Sequence, residues 1–226
     1  MHIPDGFIDG PTSLGAAGVA VTGLGVSVRK AADALDDRRA PLAGLVSAFV
    51  FAVQMLNFPV ASGTSGHLLG AVLAAVLVGP WAAVICLAVV LLVQALFADG
   101  GITALGLNIV NMGLVGGLGG YVVFLGARRL LPRTRSGVVA ASAVAAGLSV
   151  VLAATAFVLE YAIGGTVDLS LGAVLGAMVG VHVVVGIGEA VITAMTVSAV
   201  LSVRPDLVHG AADLLPAPSV QPAMAR

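Results

Sequence analysis

The stretch GVVAASAVAAGLSVVLAATAFVL, residues 137–159, decides the fold. It contains no charged residue, and Arg133, Arg135 and Glu160 stand at its two ends. As an α-helix at about 1.5 Å per residue it is roughly 34 Å long, enough for a hydrocarbon core of about 30 Å. A membrane β-strand would be about ten residues of alternating character, a pattern this run lacks. Comparable apolar runs recur along the chain. Residues are 59% hydrophobic and only 9% charged, against roughly 25% charged in soluble domains. The chain therefore reads as an all-α integral membrane protein within a lipid bilayer, because a helix satisfies its own backbone there. A net charge of −1 gives no global field for nucleic acid. The single Cys86 lies inside an apolar run, where it reads as a packing residue.

Outward from 137–159, apolar spans read over 12–28, 41–57, 68–78, 81–97, 104–126 and 171–202, with Gly79-Pro80 separating the third from the fourth. Lys and Arg fall in loop 29–39, loop 128–135 and the tail after Arg204. Positive segments stay in the cytoplasm. Residues 1–11, 58–67, 98–103 and 160–170 then lie outside, and an odd number of crossings is required. The expectation is a bundle of about seven transmembrane helices, N-terminus outside and C-terminus cytoplasmic. The expected organisation is a transmembrane domain over 1–202 and a cytoplasmic, disordered tail over 203–226. A multi-pass protein of the cytoplasmic membrane follows.

The N-terminus Met1-His2-Ile3-Pro4-Asp5-Gly6-Phe7-Ile8-Asp9 has no Lys or Arg and is not a secretory signal. The α-amine of Met1, the amide nitrogen of His2 and its ring Nδ1 are spaced to close a five- and a six-membered chelate on one ion. Planar nitrogen coordination suits Ni(II) or Cu(II). A second reading is an incidental His in a disordered terminus. Pro4 stiffens the exit from the chelate and Gly6 permits a turn.

His67 follows Gly63-Thr64-Ser65-Gly66. It reads either as a helix-start residue facing headgroups or as the fourth corner of the Met1–His2 chelate. Thr64 or Ser65 is placed to cap the following helix. Gly-Thr-Ser-Gly also matches the nucleophile signature of intramembrane serine proteases, with Ser65 attacking and His182 as base. Asn57, Asn108 and Asn111 either tie helices together or orient a metal ligand. His182 and Glu189 share one face of the last span, as an internal hydrogen-bonded strut or as functional groups at membrane depth. Asp5, Asp9, Asp99, Glu160 and Asp168 give the outer face a cation-attracting negative charge. His209 reads as incidental.

Met-His-Ile-Pro-Asp-Gly-Phe at 1–7, Gly-Thr-Ser-Gly-His at 63–67, Gly-Pro-Trp-Ala-Ala at 79–83, Gln-Ala-Leu-Phe at 94–97 and Gly-Ile-Gly-Glu-Ala at 186–190 resemble the substrate-capture component of nickel/cobalt energy-coupling-factor ABC transporters. The resemblance implies that Ni(II) or Co(II) is bound as substrate by Met1, His2 and His67. It implies as partners a membrane scaffold subunit, cytoplasmic ATPase subunits and a small accessory membrane subunit, separate from this chain. No phosphate-binding loop motif is present, so the chain is not expected to be an enzyme, and ATP hydrolysis falls to partners. A capture component for an organic vitamin would share the architecture without needing the N-terminal chelate.

Overall fold

The computed structural model describes residues 1–32, 39–60 and 64–215. The expected charged loop at Asp33, Asp36, Asp37 and Arg38, the residue Gly63, and the tail from Pro216 onward lie outside the described residues. Helices follow in the order α1 (Gly10–Ala32), α2 (Arg39–Gln54), α3 (Ala71–Val78), α4 (Pro80–Leu96), α5 (Leu105–Leu130), α6 (Arg135–Gly164) and α7 (Leu171–Val203). Of these, α1, α5, α6 and α7 are each long and apolar enough to cross a membrane. The protein is thus a multi-pass membrane protein.

Local chemistry sets the boundaries. Asp9 caps α1 by accepting from Thr12 N at 2.8 Å, with Pro11 in the first turn. Thr134 caps α6 through Gly137 N, and Ser170 caps α7 through Ala173 N. Gly79, at φ +92°, turns the chain between α3 and α4, and Pro80 starts α4 where no amide hydrogen is needed. Over Ile109–Gly119, α5 widens into i→i+5 hydrogen bonding. Wide turns of this kind recur at functional sites.

Every residue of α3 is buried, so this helix is the core around which the others pack. It is only about 12 Å long at 1.5 Å per residue, shorter than the span expected from 68–78, because Leu68 to Gly70 are non-helical. Large apolar side chains point outward instead from α1 (Leu14, Val21), α6 (Leu159, Ile163) and α7 (Val184, Ile187), where lipid accepts them. In the α6–α7 seam a Cβ at Gly186 would lie 2.8 Å from the carbonyl oxygen of Gly147. Small residues there let the two backbones approach closely.

Two sequence expectations are corrected. Glu160 is not in a loop: α6 continues to Gly164, with Tyr161 buried against the bundle and Ile163 turned to lipid. The segment after Arg204 is ordered at least to Leu215, forming 3₁₀ turns at Pro205–Leu207 and His209–Leu214. Val208 and Ala211 are buried there, Arg128 Nη2 donates to Asp213 at 2.8 Å, and the rings of Tyr121 and His209 lie 6.0 Å apart. His209 is therefore a packing residue at the α5 end of the bundle.

Candidate metal site

At the opposite end, the first nine residues are threaded into the bundle. Met1 and Ile3 are 0% exposed and His2 is 3% exposed, so this terminus is a folded plug. Phe7 packs on Phe157 and Tyr161, with ring centroids 5.6 and 5.5 Å away. Ile8 bridges Gly165, and Asp9 N donates to Gly164 O at 2.7 Å. Asn108 on α5 grips the Ile3 backbone from both sides: Ile3 N donates to its Oδ1 at 2.8 Å, and its Nδ2 donates to Ile3 O at 3.3 Å. Gly101 N also donates to Ile3 O, at 2.8 Å. Asp5 Oδ1 accepts from Thr103 N at 2.7 Å.

His67 arrives from the other side. Phe58–Pro59 pairs antiparallel with Ser65–Gly66, and the chain then runs non-helically through His67 to Gly70 before α3 begins. Non-helical backbone buried in a membrane bundle needs partners for its polar groups. Glu189 on α7 supplies two, accepting from Leu69 N at 2.8 Å and Gly70 N at 2.7 Å. Gln54 on α2 donates to Leu69 O at 2.6 Å. Gly70, at φ +67°, makes the turn into α3. His67 thus precedes the helix, and Gly70 rather than Thr64 or Ser65 occupies the N-cap.

These elements bring Met1, His2 and His67 together. The rings of His2 and His67 stack with centroids 4.3 Å apart and planes 23° from parallel. The Met1 amine lies 3.5 Å from Ser65 Oγ. His67 Nδ1 lies 2.8 Å from the carbonyl oxygen of Leu68, which can only accept. The proton is therefore on Nδ1 and the lone pair on Nε2. His2 Nε2 lies 3.1 Å from Gln94 Oε1, and its Nδ1 lies 3.2 Å from Asp99 Oδ1. His67 Nε2 is buried without a hydrogen-bond partner, and no aligned hydrogen bond reaches His2 Nδ1. Such orphaned polar atoms are uncommon in native interiors.

Burial holds the Met1 amine well below its ordinary pKa, against the opposing pull of Asp99. The amine is thus favoured in its neutral, lone-pair form. Asp99 Oδ1 lies 3.2 Å from His2 Nδ1, within ion-pair distance. Partial burial tends to raise the Asp99 carboxyl pKa, but His2, Asn57 and the Met1 amine outweigh it and hold the group below the usual range.

The remaining sequence candidates separate. Asn57 donates to Asp99 Oδ2 at 3.0 Å, one contact removed from His2. Asn111 donates to Glu160 at 2.6 Å, tying α5 to α6. His182 is buried with Nδ1 2.6 Å from Met178 O, while Glu189 holds 69–70, so the pair forms no joint strut. Ser65 faces the Met1 amine, and among the described residues no Ser65–His182 hydrogen bond is present. The acidic face is also sparser than expected: Asp9 caps α1, Asp5 holds Thr103 and Glu160 is engaged by Asn111. Gln94, Gly100 and Gly101 escaped sequence reasoning. The signal for Gln94 was an amide inside an apolar run, and for the glycines a pair beside Asp99. Among the described residues no cluster of three His, Cys, Asp or Glu side chains is placed to hold an ion.

The family described as "Cobalt uptake substrate-specific transmembrane region" matches residues 2–207. A putative metal transport protein of Haloquadratum walsbyi is 41% identical over 92% of this chain and 93% of its own length. A putative fused nickel transport protein, NikMN, of Archaeoglobus fulgidus is 39% identical over 92% of this chain and 68% of its own. The crystal structure of a transition metal transporter superposes with a TM-score of 0.83 at 34% identity, covering 90% of this chain and 93% of that one. With a family match over nearly the whole membrane region, the chain belongs to the cobalt uptake substrate-specific transmembrane family, whose members are cobalt and nickel transport components.

Proposed function

We propose that this protein captures Ni(II) or Co(II) outside the cytoplasmic membrane, as the substrate-specific component of an energy-coupling-factor transporter. The ion is held by the Met1 amine, the His2 amide nitrogen after its proton has passed to water, His2 Nδ1 and His67 Nε2. The observation that carries this reading is the pair of orphaned ring nitrogens, on rings stacked 4.3 Å apart, beside a fully buried N-terminal residue. Planar four-nitrogen ligation favours Ni(II), and low-spin Co(II) also adopts it. Near-parallel stacked rings cannot both aim lone pairs at one ion, so capture swings them apart within the pocket. The Leu68 carbonyl keeps the His67 tautomer correct during that motion, and Gln94 holds the His2 ring in place.

In the proposed topology the plug end faces outside and Arg128, Arg129 and Arg133 face the cytoplasm. Residues 64–70, at about 3.3 Å per extended residue, together with α3 supply a half-extended, half-helical crossing. This gives seven crossings in all. A scaffold subunit, paired ATPase subunits and an accessory membrane subunit complete the transporter and supply the ATP-driven inward release. The test is titration of nickel and cobalt into protein with its native N-terminus and into a form with one residue added before Met1. One tightly bound ion in the native form alone supports the reading; equal behaviour of the two forms overturns it.

A further inference from the structure

A site this deeply covered needs a route in, since Met1 and His67 are 0% exposed and His2 only 3%. A cleft of about 430 Å³ reaches it, and its lining includes His2, Ser65, Asp99, Gly100 and Ile102. We propose that this cleft is the port for a hydrated divalent cation, and that Asp99 is the cation's first, transient ligand. The proposal rests on the chelate reading above. It adds a residue outside the four-nitrogen set and a direction of approach.

Asp99 stands midway between water and the final ligands. Its side chain is 19% exposed against 3% for His2, and its Oδ1 is 3.2 Å from His2 Nδ1. The carboxylate is thus in direct contact with a nitrogen of the proposed ligand set. The other oxygen is tethered by Asn57 Nδ2 at 3.0 Å, which holds Oδ1 toward His2. Asp5 adds a second carboxylate to the lining, and the lining contains no Lys or Arg. Six waters at about 30 Å³ each occupy roughly 180 Å³, so a hydrated ion fits. A carboxylate oxygen suits that hard, hydrated state, and imidazole and amine nitrogens then replace the waters that transition metals release more readily to nitrogen.

The experiment follows nickel binding by stopped-flow absorbance on the purified full chain with its native N-terminus. Asp99→Asn is expected to slow association about tenfold or more, within the range for charge-focused clefts, and to flatten its dependence on ionic strength. Ile102, 62% exposed in the cleft lining, supplies the steric arm. Ile102→Trp is expected to slow association and chelator-driven release by the same factor, leaving Kd unchanged, as a gate on the path must. Unaltered association in both variants overturns the port. Faster release from Asp99→Asn at an unchanged association rate also overturns it, because Asp99 would then act only on the bound state. If the unsubstituted protein binds no ion, the chelate reading fails and the port with it.

Discussion

Gly101→Ala isolates what the plug's seat contributes. A Cβ at Gly101 would lie 2.4 Å from Asp5 N, 2.5 Å from Asp5 Oδ1 and 2.8 Å from Pro4 C. Two of these are backbone atoms, so no side-chain rotation relieves the clash. Restoring ordinary contact displaces the Pro4–Asp5 backbone by about 1 Å, against the Gly101 N to Ile3 O bond of 2.8 Å and the Asn108 clamp. Overpacking of this size costs about 1–3 kcal/mol. If the displaced state must return to bind metal, that range corresponds to a loss of about 5- to 150-fold in nickel affinity at 1.36 kcal/mol per tenfold. Gly18→Ala, where nothing lies within 4 Å of the added carbon, is the matched control and is expected to bind as the parent does. Titration of both variants with native N-termini decides the matter. Parental affinity in Gly101→Ala, with parental thermal stability, would refute the view that the seat positions the chelate.

Further expectations follow from the same geometry. Glu189→Gln leaves one of two buried amide hydrogens facing an NH₂ group, and is expected to cost about 2–3 kcal/mol in thermal or denaturant unfolding and to weaken nickel binding; unchanged affinity would separate α7 from His67. Ser65→Ala removes only a 3.5 Å contact to the amine, so the affinity loss measured by the same titration should stay below about tenfold. The Met1 amine has a folded pKa depressed below its reference of 8.0. Loss of the His2 amide proton on binding makes nickel affinity rise with pH throughout, and an additional break in that dependence near pH 8 would contradict the burial of the amine. The sign for stability is the same: below its reference value the unfolded chain takes up a proton the folded one refuses. The metal-free protein should lose stability as pH falls below 8.0, by at most about 1.4 kcal/mol per pH unit from this group, in a thermal melt series.

The sequence by itself determined the solvent and the chemistry. Long uncharged runs can be stable only as helices in lipid, and a His one residue from a free amine has its chelate spacing fixed by covalent bonds. Neither depends on the rest of the chain, so both were legible without coordinates. The boundaries of α1 and α7 fell within a few residues because Asp9, Ser170 and the ends of the apolar runs act locally. Only the tertiary structure decided what surrounds the N-terminal nitrogens of the proposed chelate. Gln94, Asn108 and Glu189 are separated from the groups they hold by about a hundred residues, and nothing local distinguishes such an amide or carboxylate from an ordinary helix tie. The same holds for Gly101, whose missing Cβ matters only because Pro4 and Asp5 lie against it. The ordered turns after Arg204 were also invisible, since their polar, proline-bearing sequence gains its structure by covering the ends of α3 and α5. Local sequence fixes backbone geometry and ligand spacing. Contacts between distant segments fix burial, tautomer and access, and those depend on which helix faces meet.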